Sequence, residues 1–330
     1  MSKNKQDLSV QNEGNAPDRA EIRTDLDPIA VVMERVSDDP SVAELLSFRN
    51  AKPDLKFAAR QAKRLADEAM RVRFAGGNVD DAPGIAVSLT LAGHCFTALT
   101  AIWPSDTLND IEAKLALAEA TGPYGDAQDG DYVPALEPET ATRIRIKRAA
   151  FNVGELMMPP PPAVPAAQDR GLADWPLRHY DLSTVLPPAG GPPVFIDAQV
   201  QHWLQLLSHV PDLGRLVERV ELLIKTADRL FLLAQTPGET AMDLRKAAEG
   251  AQILAYLTAA QIALWPVVKG SDGVKAKRRL AKLIDDRACR SDPLHMQAAI
   301  RMLFVDGSWL AKLVDSNRMA IGTPTWIEIV

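Results

Sequence analysis

Two cysteines in 330 residues, Cys95 and Cys289, leave no disulfide framework to build. Both fall in helical patterns and neither belongs to a CxxC pair, so a structural zinc site is not expected. Cationic excess is missing too. Against 43 Asp and Glu stand 37 Lys and Arg, a net charge near −6, the wrong sign for a protein that coats nucleic acid. Strand signals are confined to "TPTWIEIV" at the C-terminus, where apolar and polar positions alternate. No phosphate-binding glycine loop, dinucleotide fingerprint, nucleophile elbow or zincin motif occurs. The Gly-Gly of "FAGGNVDDAPG" joins two helical patterns and reads as a turn. Residues 1–27 have no apolar segment for a secretory signal and too few large apolar side chains to offset the entropy of ordering. They read as a disordered tail, and the chain as a cytoplasmic protein.

What is present is helical, and it repeats. "KPDLKFAARQAKRLADEAMRVRF" and "VPDLGRLVERVELLIKTADRLFLLA" share Pro-Asp-Leu at their starts. Leu55, Ala58, Ala59, Ala62, Leu65, Ala66, Ala69 and Val72 form one stripe at helical spacing. The residues 158 positions further on, from Leu213 to Leu230, are Leu, Leu, Val, Val, Leu, Ile, Ala and Leu. The next helix in each copy ends on Trp-Pro: Trp103-Pro104 and Trp265-Pro266, 162 positions apart. Proline disfavours the α conformation at the residue before it, so both helices should stop at about their tryptophans, each indole plugging one end of a bundle with its N–H reaching a partner or water. A third helix follows in "LNDIEAKLALAEA" and "GVKAKRRLAKLIDD", and a fourth in "ETATRIRIKRAAFNVGELM" and "DPLHMQAAIRMLFVDGSWLAKLV". In the fourth pair Arg148, Phe151 and Gly154 keep the spacing of Arg301, Phe304 and Gly307.

The expected architecture is therefore all-α, with two tandem related helical bundles made by internal duplication. Unit one covers 28–158 and unit two 196–320, with a Pro-rich linker at 159–195 and an extended tail at 321–330. The linker start "MMPPPPAVP" favours extended polyproline II and forbids a continuous helix. "DPIAVVMERV" and "DDPSVAELLSF" each read as an Asp cap with proline at the first helical position. Ile85–Trp103 holds nineteen residues without Asp, Glu, Lys or Arg, long enough to consider a membrane span. Its counterpart carries Asp243, Arg245, Lys246 and Glu249, so the segment reads as a surrounded bundle helix and no membrane is expected.

Candidate functional residues are few. Arg143, Arg145 and Arg148 (with Lys147) form one basic cluster, and Lys275, Lys277, Arg278, Arg279 and Lys282 another. Such clusters suit an acidic protein surface or nucleic-acid phosphates. Trp175 and Tyr180 make the linker too apolar for a free spacer. His94 and Cys95 are adjacent, and on a helix their side chains point about 100° apart, so they cannot form a catalytic pair with each other. His202 and His209 share a helix face without a third metal ligand, and the acidic loop 126–137 departs from a calcium loop, with Asp131 where the sixth position requires glycine. No catalytic constellation, cofactor or metal is expected. The expected role is non-enzymatic: an interaction or regulatory protein that binds another protein through an inter-bundle groove or the linker. Nucleic-acid binding through helix 275–282, and a helical-bundle enzyme using an unrecognised pocket near His94, are the alternatives. Ala- and Arg-rich usage resembles proteins of high-GC bacteria.

Overall fold

The structure is a computed structural model, and it describes residues 27–74, 82–121, 211–267, 271–288 and 292–318. Every regular element among these residues is a helix: α1 (Pro28–Met33), α2 (Val42–Asn50), α3 (Leu55–Phe74), α4 (Ala82–Ile102), α5 (Leu108–Thr121), α6 (Leu213–Leu233), α7 (Ala241–Leu264), α8 (Asp272–Ala288) and α9 (Leu294–Arg318). The all-α expectation holds for this part of the chain. The fourth helix of unit one, the linker 159–195, the lead-in from 196 and the C-terminal strand lie outside the described residues, as does the tail except for Asp27.

Local chemistry sets the helix starts. Asp54 and Asp212, from the repeated Pro-Asp-Leu, each accept a backbone N–H at 3.0 Å, from Phe57 and Arg215, so α3 and α6 open identically. At α1, Asp27 Oδ1 accepts the Ile29 and Ala30 N–H groups at 3.0 and 2.9 Å, with Pro28 in the first turn as expected. At α2 the Asp-Pro expectation is corrected. Ser41 is the cap, in a reciprocal box in which Glu44 N–H donates to Ser41 Oγ and Ser41 N–H donates to Glu44 Oε2. The box satisfies a donor at each end, so it outcompetes the Asp39-Pro40 signal directly before it.

The two predicted stripes face inward. α3 packs along α4 and α6 along α7, with Leu55, Ala62 and Leu65 buried on one side and Val217, Leu223 and Leu230 on the other. α4 and the part of α7 after its charged first turns are almost entirely apolar because they are surrounded. α7 touches α1, α2, α4, α6, α8 and α9, and apart from Glu249 every residue from Ala247 to Leu264 is buried. No helix among the described residues is long and apolar enough to cross a membrane.

The chain also crosses between its two halves. α2, which leads into α3, lies across α7, and α9 packs on α4 as well as on α7. Residues of both units share one continuous apolar cluster. Where the sequence suggested separate bundles with a groove between them, α1 lies against both α4 and α7 with all six of its residues buried. Two glycines make the crossings possible. A Cβ on Gly250 would sit 2.4 Å from Leu45 O of α2, and one on Gly307 would sit 2.1 Å from Ala263 O.

Alanine is the better helix former by about 1 kcal/mol, so any loss at these glycines reports the crossing. Gly250→Ala and Gly307→Ala should each lower stability by about 1–3 kcal/mol in denaturant unfolding. Gly238→Ala, with nothing within 4 Å of its Cβ, should change it by less than about 0.5 kcal/mol. Unchanged midpoints for the first two would show that the helices do not approach so closely.

Candidate functional site

A helix stopped by proline leaves its last carbonyls without the backbone donor that a continuing helix supplies. α7 ends this way: Trp265 is extended, with ψ of 124°, ahead of Pro266. Lys114 of α5 and Lys277 of α8, 0% and 4% exposed, reach the ends of α4 and α7. Their Nζ atoms donate to Ala101 O at 3.4 Å and to Ala263 O at 2.8 Å, each acceptor two residues before the tryptophan. The α9 backbone at Gly307 lies against the Ala263 oxygen and restricts solvent there, so an internal donor replaces it. Burial pushes the Lys277 amine down to about 7.

The expected basic patch is therefore corrected at its centre, because Lys277 is interior. Lys275, Arg278, Arg279 and Lys282 are exposed. Lys275 pairs with Asp272 at 2.9 Å, and Arg279 holds Glu221 with two bonds of 2.7 and 2.8 Å. Arg278 and Lys282 remain without an ion pair among the described residues, beside exposed Asp285 and Asp286. Arg143, Arg145, Arg148, Phe151, Trp175 and Tyr180 lie outside the described residues, as do His202, His209 and the loop 126–137.

Trp103 and Trp265 are both 0% exposed at their helix ends, and Phe304 is half-buried against the core. Phe48 packs on the Trp103 ring with centroids 5.1 Å apart. Each indole N–H was expected to reach a partner or water; among the described residues neither Nε1 atom has a protein acceptor.

His94 and Cys95 part company as helix geometry requires. The His94 Nδ1 lies 3.5 Å from Asp306 Oδ2 of α9, with both side chains about a fifth exposed. Cys95 faces the core, where burial, and then the charge of Asp27, push its thiol well up, the opposite of an activated nucleophile. Among the described residues no three His, Cys, Asp or Glu side chains are placed to hold a metal ion.

Sequence reasoning missed the two buried aspartates that α7 holds. Asp27, 1% exposed, accepts from Gln261 Nε2 at 2.6 Å. Asp292 precedes Pro293 at the start of α9. It accepts from Gln252 Nε2 at 3.2 Å, Tyr256 Oη at 2.9 Å and Arg287 Nε at 2.9 Å, and Arg287 also grips Asp228 at 2.7 and 2.8 Å. Burial, then the Asp292 charge, push the Tyr256 hydroxyl upward, so it donates rather than ionises. Every oxygen of Asp292 is occupied, which makes this a clamp on the α8–α9 turn rather than an open reactive group. Both aspartates precede a proline; the Asp-Pro at 27–28 was read only as a cap, and the one at 292–293 only as part of a helix segment.

At the end of the α6–α7 hairpin, Leu232, Leu233 and Met242 are 65, 51 and 62% exposed. Single exposed apolar residues are ordinary, and Leu108, Leu294 and Val305 are exposed elsewhere; here three large ones fall within eleven positions of the chain.

Compared with protein-family models, with curated proteins and with solved structures, the chain matches none.

Lys277 supplies a titration test. Its amine is depressed from 10.5 unfolded to about 7 folded. Between those values the unfolded chain binds the extra proton, so this residue raises stability as pH rises through that window and lowers it again as pH falls. Lys277→Met removes the term. Its stability advantage over the wild type should be greatest at pH 7 and below, and should shrink by about 1.4 kcal/mol per pH unit toward pH 10. A gap constant with pH would mean the amine is not desolvated. Asp292→Ala leaves Gln252, Tyr256 and one side of the buried Arg287 without their acceptor and should cost about 3 kcal/mol or more, whereas Asp38→Ala at an exposed pair should cost less than about 1 kcal/mol. Equal losses in thermal unfolding would refute the clamp.

Proposed function

We propose that this chain is an internally duplicated helical scaffold whose task is to bind another protein. Duplication is supported by pairs that no general rule of helix packing demands: Asp54 and Asp212 capping alike, Trp103 and Trp265 at equal depth, and Lys114 and Lys277 donating to equivalent carbonyls. The interaction reading is carried by the apolar hairpin end of Leu232, Leu233 and Met242. Around it Arg229, Glu239, Asp243, Arg245 and Lys246 mix both signs, which suits a protein surface better than a polyanion. A buried free cysteine fits a reducing, cytoplasmic setting. Docking through the linker 159–195 belongs to the same reading, as a second contact.

The His94–Asp306 contact favours one other reading, an enzyme with its site at the α4–α9 seam. There Asp306 would orient the imidazole and leave Nε2 to exchange a proton.

Leu232→Asp combined with Met242→Asp should leave the melting temperature within about 2 °C, since neither side chain is in the core. It should reduce capture of a saturably bound protein from native-host extract at least about tenfold, the loss of two apolar anchors. A partner captured equally by the wild type and the double variant would remove the hairpin end from the interface. If His94→Gln abolished a measurable turnover while capture stayed intact, the enzyme reading would replace this one.

A further inference from the structure

α1 sits in the fold as a bound peptide would. Its six residues are far short of the roughly 12–15 that an isolated helix needs, so its conformation is imposed by what surrounds it. Ile29, Val32 and Met33 are at most 4% exposed against α4 and α7, and Met33 Sδ lies 3.7 Å from Thr258 Oγ1. The cap is read separately from the apolar body. Asp27 Oδ1 closes the first turn of α1 itself, while Oδ2 takes the Gln261 amide at 2.6 Å and the carboxylate also meets the Cys95 thiol.

Two further features distinguish this seat from ordinary core packing. Gln261 Oε1 is buried and has no hydrogen-bond partner among the described residues, so the seat holds an acceptor that α1 does not use. A segment bringing an N–H or O–H to that oxygen would fit better than α1 does. The second feature is the tether. Arg219 donates to Val36 O at 2.9 Å and to Ser37 O at 3.2 Å and pairs with Asp38, fixing the chain to α6 just past α1. Only exposed Glu34 and Arg35 separate Met33 from that clamp. Residues 36–38 are thus held to α6 by contacts that do not involve α1.

We propose that the seam between α4 and α7 is a recognition site for a short apolar helix opened by an aspartate, presented by a partner protein, and that α1 is its tethered occupant. The partner segment carries an acid at its cap, three or four aliphatic residues behind it, and a donor within reach of Gln261 Oε1. This goes beyond the interaction reading above and does not use the hairpin end, so either can fail alone.

The test uses the full-length chain and a fluorescent peptide with the sequence of residues 27–36, DPIAVVMERV. Asp27→Ala in the protein weakens the tethered competitor and should tighten peptide binding at least about tenfold in anisotropy titrations, by mass action. Adding Gln261→Ala should reverse most of that gain, as should replacing the aspartate of the peptide by alanine. The proposal is overturned if a folded Asp27→Ala protein binds the peptide no better than the wild type, or if Gln261→Ala has no effect on binding. It is overturned equally if Asp27→Ala forms a concentration-dependent dimer that excludes the peptide, which would make the occupant a second copy of this chain. Hydrogen exchange on the wild type covers the case in which Asp27→Ala does not fold. The Val31–Met33 amides should open at least about tenfold faster than the middle of α7, and equal protection would show that α1 is permanent core.

Discussion

The constraint on which the rest depends is the end of a helix. Pro104 and Pro266 stop α4 and α7 inside the protein, where the carbonyls left behind cannot turn to bulk water. A lysine stem crosses the core to each of them and delivers one N–H. This fixes the distance and rotation of α5 against α4 and of α8 against α7, because the donor must arrive at a single oxygen. It also makes the ends of the central helices favourable places for positive charge, through the partial negative charge of the terminal peptide dipoles. The desolvation cost of the ammonium is thereby partly offset.

Around those pinned ends the fold is organised by α7. Its small and amide side chains do different jobs at different depths. Gly250 admits the α2 backbone, Gln252 and Tyr256 hold the start of α9, and Gln261 holds the cap of α1. The polar groups on an otherwise apolar helix thus fall where another element begins or crosses. The Arg49 guanidinium does similar work outside, joining α2 to Asp106 and to Glu249. Buried polar clusters of this kind specify one arrangement of helices among several that apolar burial alone would tolerate. The apolar side chains at the hairpin end, by contrast, stand more than half exposed and outside that core.

Local features were legible in the sequence. Stripe positions, Trp-Pro ends and the Pro-Asp-Leu starts depend on spacing within one helix, and all of them stand in the structure for the described residues. Lys277 was misplaced because it was counted with its charged neighbours, although it sits three residues from both Val274 and Leu280, on the buried side. Lys114 stands in the same relation to Ile111 and Leu117, so the pattern was available twice. The Asp27–Gln261 and Asp292–Gln252 contacts were not legible. Nothing in either neighbourhood encodes a partner that lies 234 or 40 residues away. The start of α2 shows a smaller version of the same limit, where two valid helix signals compete and only their geometry decides.

The crossing of α2 over α7 has a consequence for how the protein is made. Arg49 and Glu249, which meet in the finished molecule, are 200 residues apart along the chain. At a ribosomal speed of about 5–20 residues per second, roughly 10–40 seconds pass between their syntheses. For that interval the nascent first half carries α2 and the oily flank of α4 with no cover from the second. Molecular chaperones would find their client in this half-built chain, not in the completed protein.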